Sequence, residues 1–181
     1  MFGFIKKLFS KNTVRRSVDN FLSRQAEYIA MSKDEIAHLP EEELFDMALA
    51  RVFDIAEKNK RFDNGFSALN DTQRAFYTAS LYEMEVMNGG LAQFFDNSSR
   101  NAAPMLSEAL SKIRAGEHKE LYSKFISDNN ITFTDLSVFD SEEHLNSAEN
   151  MPFNEFDSAF YNMKPIRDYL TDYVKEHISE F

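Results

Sequence analysis

The chain has 181 residues, 43% of them apolar, with no Cys, no Trp and a formal net charge of -10. That length suits one folded domain with a sizeable core, and the missing Cys excludes disulfides, thiolate nucleophiles and Cys-held metals. Residues 1–33 carry seven Lys/Arg and two acids while residues 34–181 carry 13 and 28, so a basic arm (1–33) precedes an acidic body (34–181) that repels nucleic acid and attracts basic partners.

In chain order, Phe4, Ile5, Leu8 and Phe9 share one helical face, with Lys6 and Lys7 beside it. This pattern predicts a short membrane-surface foot for anionic lipid. No run of about 18 apolar residues exists that could cross a bilayer, and charges interrupt the place of a secretory apolar core. The expected location is cytoplasmic, with peripheral contact at the inner membrane surface. Residues 13–31 continue as a helix. Ser32 and Glu35 have the spacing of a capping box and open a short helix to His38. Pro40 heads the next helix, which carries Glu41, Glu42 and Glu43 in its first turn and reaches about Lys58.

Asp63-Asn64-Gly65 marks a turn. Asn70 or Asp71 caps a central helix over about 72–87, which ends at Asn88-Gly89-Gly90, a tripeptide tolerant of positive φ. A second short helix over 91–96 bears Leu91, Phe94 and Phe95. After a loop at 97–101, a helix containing Pro104 reaches Ala115 and is ended by Gly116. Another helix covers 117–128, an extended loop 129–139, a short helix part of 140–151, and helices over 153–161 and 164–178 close the chain. The prediction is all-α: a compact bundle of about seven to nine mostly short helices with an N-terminal basic helical arm.

Enzymatic chemistry finds no support, and no catalytic residue, metal or cofactor is predicted. Glu35-x-x-His38 has the spacing of half a di-iron ligand set, but no second copy exists. Asp128-Asn129-Asn130 begins like a calcium loop, yet Phe133 replaces the required Gly and Phe139 the bidentate Glu. There is no G-x-S-x-G and no phosphate-binding G-x-x-x-x-G-K. What remains are two acidic tracts. One holds Glu41, Glu42 and Glu43; the other holds Asp140, Glu142, Glu143, Glu149, Glu155 and Asp157, in a stretch of 39 residues without Lys or Arg. Fixed carboxylates on helices can imitate a phosphate array, so these acids are the candidate surface for a basic partner. A second reading makes the Asn88-Gly89-Gly90 corner, with the amides of Gln93 and Asn97, a peptide- or ligand-binding module.

The stretch Glu85-Val86-Met87-Asn88-Gly89-Gly90-Leu91-Ala92-Gln93-Phe94-Phe95-Asp96-Asn97-Ser98-Ser99 resembles the signature of the bacterial DNA-mimic protein family. The closing segments, Phe156 to Tyr161 and Tyr169 to His177, are similar to that family's last helices. The resemblance covers about residues 40–181 and leaves the arm outside; Arg100 stands where the family pattern has Gly. It implies a helical fold, no enzymatic activity, and a partner that is a basic DNA-binding protein such as a transcription regulator. Within the motif, Glu85, Asn88, Gly89, Gly90, Gln93, Phe94, Phe95, Asn97 and Ser98 are expected to act structurally.

Overall fold

A computed structural model describes residues 22–61, 63–134, 136, 139 and 152–181, and every described residue in regular structure is helical. The membrane-foot residues Phe4 to Phe9 lie outside this set. So do Asp140, Glu142, Glu143, Glu149 and the helix expected within 140–151.

The helices are α1 (22–30 within the described residues), α2 (Lys33–Ile36), α3 (Glu41–Lys58), α4 (Asp71–Asp96), α5 (Ala103–Lys112), α6 (Gly116–Asp128), α7 (Phe153–Tyr161) and α8 (Ile166–Glu176). Short 3-10 turns occupy Phe66–Ala68, Ser98–Ala102 and Ile178–Glu180. The all-helical bundle expected from the apolar periodicity is therefore present. None of its described helices is long and apolar enough to cross a membrane.

Local signals account for most helix starts. Ser32 and Glu35 form the expected capping box, and Asn70 forms another with Gln73 at the head of α4, each satisfying otherwise orphaned backbone N–H groups. Pro40 takes the N-cap position of α3, and its three glutamates occupy the first turn. Asp63 accepts from Gly65 N at 3.1 Å and Ser67 N at 2.8 Å, while Asn64 and Gly65 both take positive φ.

Helix ends differ from expectation in two places. The stop predicted at Gly116 comes earlier: α5 ends at Lys112 and Gly116 opens α6. Arg114 adopts φ 62 in the left-handed cap position. Its N–H bonds Ser111 O (3.1 Å), and Ala115 N bonds Leu110 O (2.9 Å), the paired pattern of a Schellman motif without glycine. Asn130, with φ 52, closes α6 in the same way. At the C-terminal side, the helix predicted over 164–178 runs only over Ile166–Glu176, because Pro165 holds an extended ψ of 140° at the N-cap.

Central to the bundle is α4, whose inner face is buried from Thr72 to Phe95. The Tyr82 ring is its hub, edge-on to Phe94 (5.5 Å), Phe160 (5.5 Å) and Tyr122 (5.9 Å). Such tilted contacts are the favoured geometry of aromatic pairs, and they let α4 collect α6 and α7 around one ring. Helices α3 and α8 run antiparallel: Arg167 reaches Asp46 at one end and Lys175 reaches Glu41 at the other.

Candidate functional site

The Asn-Gly-Gly corner is a break inside α4. Gly89 has φ -160 and Gly90 φ 78, and the helix resumes at Leu91. At both glycines an added Cβ would displace a side chain of the corner. A Cβ on Gly90 would stand 2.1 Å from Asp157 Oδ2, and one on Gly89 would stand 2.2 Å from Gln93 Oε1. Asp157, on α7, places Oδ1 2.8 Å from Leu91 N, so it caps the resumed helix from outside. Burial pushes its carboxyl pKa up, against the lowering effect of that bond. Tyr161, on the same helix, donates to Val86 O at 2.8 Å.

The motif amides converge on one carboxylate. Glu85 Oε2 accepts from Gln93 Nε2 at 2.5 Å and Asn97 Nδ2 at 2.9 Å, and Glu85 Oε1 accepts from Ser99 Oγ at 3.1 Å. Asn88 Nδ2 in turn donates to Gln93 Oε1 at 3.0 Å. Phe94 and Phe95 point inward and are fully buried, and Ser98 is exposed, its carbonyl accepting from Asn64 Nδ2 at 3.0 Å. The amides that could have held a ligand are thus engaged within the fold, clamping both sides of the break to Glu85.

The acids nominated from the sequence divide among several tasks. Glu41 pairs with Lys175 at 2.6 Å. Glu43 is held by Arg24 and by the Tyr28 hydroxyl at 3.1 Å. Glu42 and Glu155 are exposed. Asp157 is engaged at the corner.

A second set of acids escaped the sequence reading. Asp168, Asp172 and Glu176 are all exposed on α8. Their i, i+4, i+8 spacing aligns them along one strip, about 6 Å per step. The adjoining strip, Arg167, Thr171 and Lys175, turns toward α3; Arg167 pairs with Asp46 at 2.8 Å and lies 4.3 Å over the Phe45 ring. The spacing was legible in a helix already predicted. It was overlooked because these acids alternate with cations, and only the fold separates the two strips.

Along the α3–α8 seam Glu41 and Asp46 hold Lys175 and Arg167, while Asp172 and Glu176 lie toward Lys112, Arg114 and Lys164. Among the described residues Glu42, Asp168 and Asp172 make no ion pair. Glu176 is paired with Arg114 at 2.7 Å. The exposed pairs are worth only about 0.2–1 kcal/mol each, so an incoming cation can exchange with them.

Among the described residues no group of three or more His, Asp or Glu converges to hold a metal. His118 is buried at 1% exposure; its Nε2–H donates to Lys164 O at 2.7 Å and its Nδ1 has no partner.

The family model of the DMP19-like proteins matches residues 67–177, which takes in α4, the Glu85 clamp, Asp157 and the α8 acids. Nothing matches among curated proteins or solved structures. The chain belongs to the DMP19-like proteins, a non-catalytic family of bacterial DNA mimics.

Proposed function

We propose that this protein is a cytoplasmic interaction module whose α3–α8 face stands in for a length of nucleic-acid backbone and occupies the DNA-binding surface of a basic protein, a transcription regulator being the fitting class. What supports this reading is the family match together with the exposed carboxylates of Glu42, Asp168 and Asp172 on the neighbouring helices α3 and α8. Duplex DNA places a phosphate about every 3.4 Å of axis on each strand. One helical strip with about 6 Å between acids falls short of that density, and two helices side by side approach it. The helices keep these charges in place despite their mutual repulsion, because the core beneath them is continuous. A basic surface evolved to meet phosphates would meet carboxylates at comparable spacing, with Arg167 and Lys175 setting the gaps.

The test begins with a pull-down on the immobilised full-length chain over a salt series, followed by competition with the captured protein's own DNA. The expected result is a basic partner released as salt rises and mutually exclusive with DNA. In a Glu42→Gln, Asp168→Asn, Asp172→Asn chain, affinity for that partner should fall about tenfold or more, chiefly through slower association. A partner that binds DNA and this chain together, or that ignores the triple substitution, would refute the reading. A parallel Glu142→Gln, Glu143→Gln, Glu149→Gln, Glu155→Gln chain measures the share contributed by the second acidic tract.

A further inference from the structure

We propose that the cleft between the end of α5 and α8 binds a free aromatic amino acid, with Lys164 on its carboxylate, Asp172 on its ammonium, and Ile113, Tyr169 and Tyr173 beneath its side chain. This goes beyond the reading of the acidic surface given above and does not depend on it.

The cleft follows from how its walls are built. Helix α5 stops at Lys112 and turns through Ile113 and Arg114, the latter at positive φ. On the other side Pro165 is the N-cap of α8, and a residue that precedes proline is held out of the helical region, so Lys164 stands off the end of the helix. Behind it, the buried His118 ring donates Nε2–H to the Lys164 carbonyl at 2.7 Å and lies edge-on to Tyr169 at 6.2 Å. The cleft encloses about 210 Å³. Ile113 and Tyr173 are buried, Tyr169 is half-buried and the charged lining residues are exposed, which gives an apolar floor under a charged rim.

Charges on the rim select the occupant. Two of the cations already have partners: Lys112 holds Glu108 at 3.0 Å and Arg114 holds Glu176 at 2.7 Å. Lys164 makes no ion pair among the described residues; its ammonium lies 4.3 Å over the Tyr169 ring. Asp172 is likewise without an ion pair there, and it follows Tyr169 by three residues, a spacing that puts Cβ atoms about 5–6 Å apart on a helix. An unpaired cation and an unpaired anion flanking one ring match a molecule that carries both charges better than a plain anion or cation. Two charge-assisted hydrogen bonds of about 2.8 Å, one to an α-carboxylate and one from an α-ammonium, bridge such a gap. The volume is below the roughly 300–1,000 Å³ of sites for larger ligands, so it suits a single amino acid rather than a peptide. Two tyrosines and an isoleucine on the floor favour a flat, apolar side chain, which gains from tilted or offset ring contacts.

The experiment titrates the isotope-labelled full chain with L-tryptophan and follows amide NMR shifts. Saturable shifts should centre on residues 113, 164, 169 and 173, with a dissociation constant of order millimolar for so small a ligand. Tryptamine, which lacks the carboxylate, and indole-3-propionate, which lacks the ammonium, should each bind about tenfold more weakly. Lys164→Gln should weaken tryptophan and indole-3-propionate by about tenfold and leave tryptamine within about twofold. Asp172→Asn should weaken tryptophan and tryptamine and spare indole-3-propionate. Lys119→Gln, an exposed cation of α6 outside the cleft lining, should change none of the three. Tryptophan that does not bind, that binds no better than its two analogues, or that ignores both cleft substitutions overturns the proposal. Displacement by inorganic phosphate at equal concentration would mark a plain anion site and also overturn it. None of these outcomes touches the salt-dependent capture of a basic partner, by which the acidic surface stands or falls separately.

Discussion

At the scale of single residues, the fold depends on atoms that are absent as much as on those present. Gly90 is the clearest case, with positive φ and the Asp157 carboxylate where a side chain would start. Gly90→Ala should cost about 1–3 kcal/mol, read by urea denaturation. Gly116→Ala, where an added Cβ meets nothing within 4 Å, should be neutral or stabilise by about 0.4–1 kcal/mol. Equal effects at the two sites would contradict the close approach seen at the corner. His118 makes a different demand. With Nε2 donating to a carbonyl and Nδ1 unpartnered among Phe160 and Tyr169, the neutral ring fits and the cation does not. Burial lowers its pKa below the ordinary 6.5, outweighing the opposing effects of the Lys164 carbonyl and Glu117. The unfolded chain then binds the extra proton, so this contribution is complete above pH 6.5 and is lost as pH falls toward the depressed folded value. The slope is at most about 1.4 kcal/mol per pH unit. Stability measured from pH 7.5 to 5 should show this loss, and a His118→Gln chain should lack that component even if it is less stable throughout.

Among elements, helix ends are completed by distant chain. Glu83 on α4 accepts from Arg167 N at 3.0 Å and caps α8. Asp157 on α7 caps the resumed half of α4. Near the head of α4, the Glu180 carboxylate accepts from Thr72 Oγ1 at 2.6 Å, and its carbonyl accepts from Gln73 Nε2 at 2.9 Å. Here sequence reading reaches its boundary. The boxes at Ser32 and Asn70 were legible because donor and acceptor sit three residues apart. The Asp157 and Glu83 caps were not, because nothing in the local sequence tells a capping carboxylate from a solvated one. The clamp on Glu85 lay between: its members stood together in the motif, but their common target emerged only from the bend. Arg51 is another of these cross-links, joining α1 and, through Phe181 O at 3.2 Å, the C-terminal turn to α3. In Arg51→Ala, amide hydrogen exchange should speed up in residues 22–32 and 178–181 while the middle of α4 stays protected. Uniform acceleration across the body would mean that Arg51 supports the whole core rather than these two segments.

On the scale of the whole molecule, the acidic character is less a uniform coat than a sorting of carboxylates by task. Those at Glu35, Glu83 and Asp157 cap helices, and that at Glu180 binds Thr72 and His177; those at Glu41, Glu43 and Asp46 bind cations of neighbouring helices; Glu42, Asp168 and Asp172 make no ion pair among the described residues. Net charge and tract composition could not make that division, since they count every acid alike. The distant caps also set an order in time. The bonds to residues 157, 167 and 180 span 66 to 108 positions, so during translation the N-terminal half waits for the last segment before α4 can bend and lock. At about 5–20 residues per second, that leaves an unlocked central helix on the ribosome for several seconds. Nascent chains stalled before residue 150 should therefore be cut readily by protease within 71–96, and protection should appear only once the C-terminal helices have emerged. Chaperone access to this protein would accordingly be concentrated at the end of synthesis, when the largest share of its aromatic surface is still unburied.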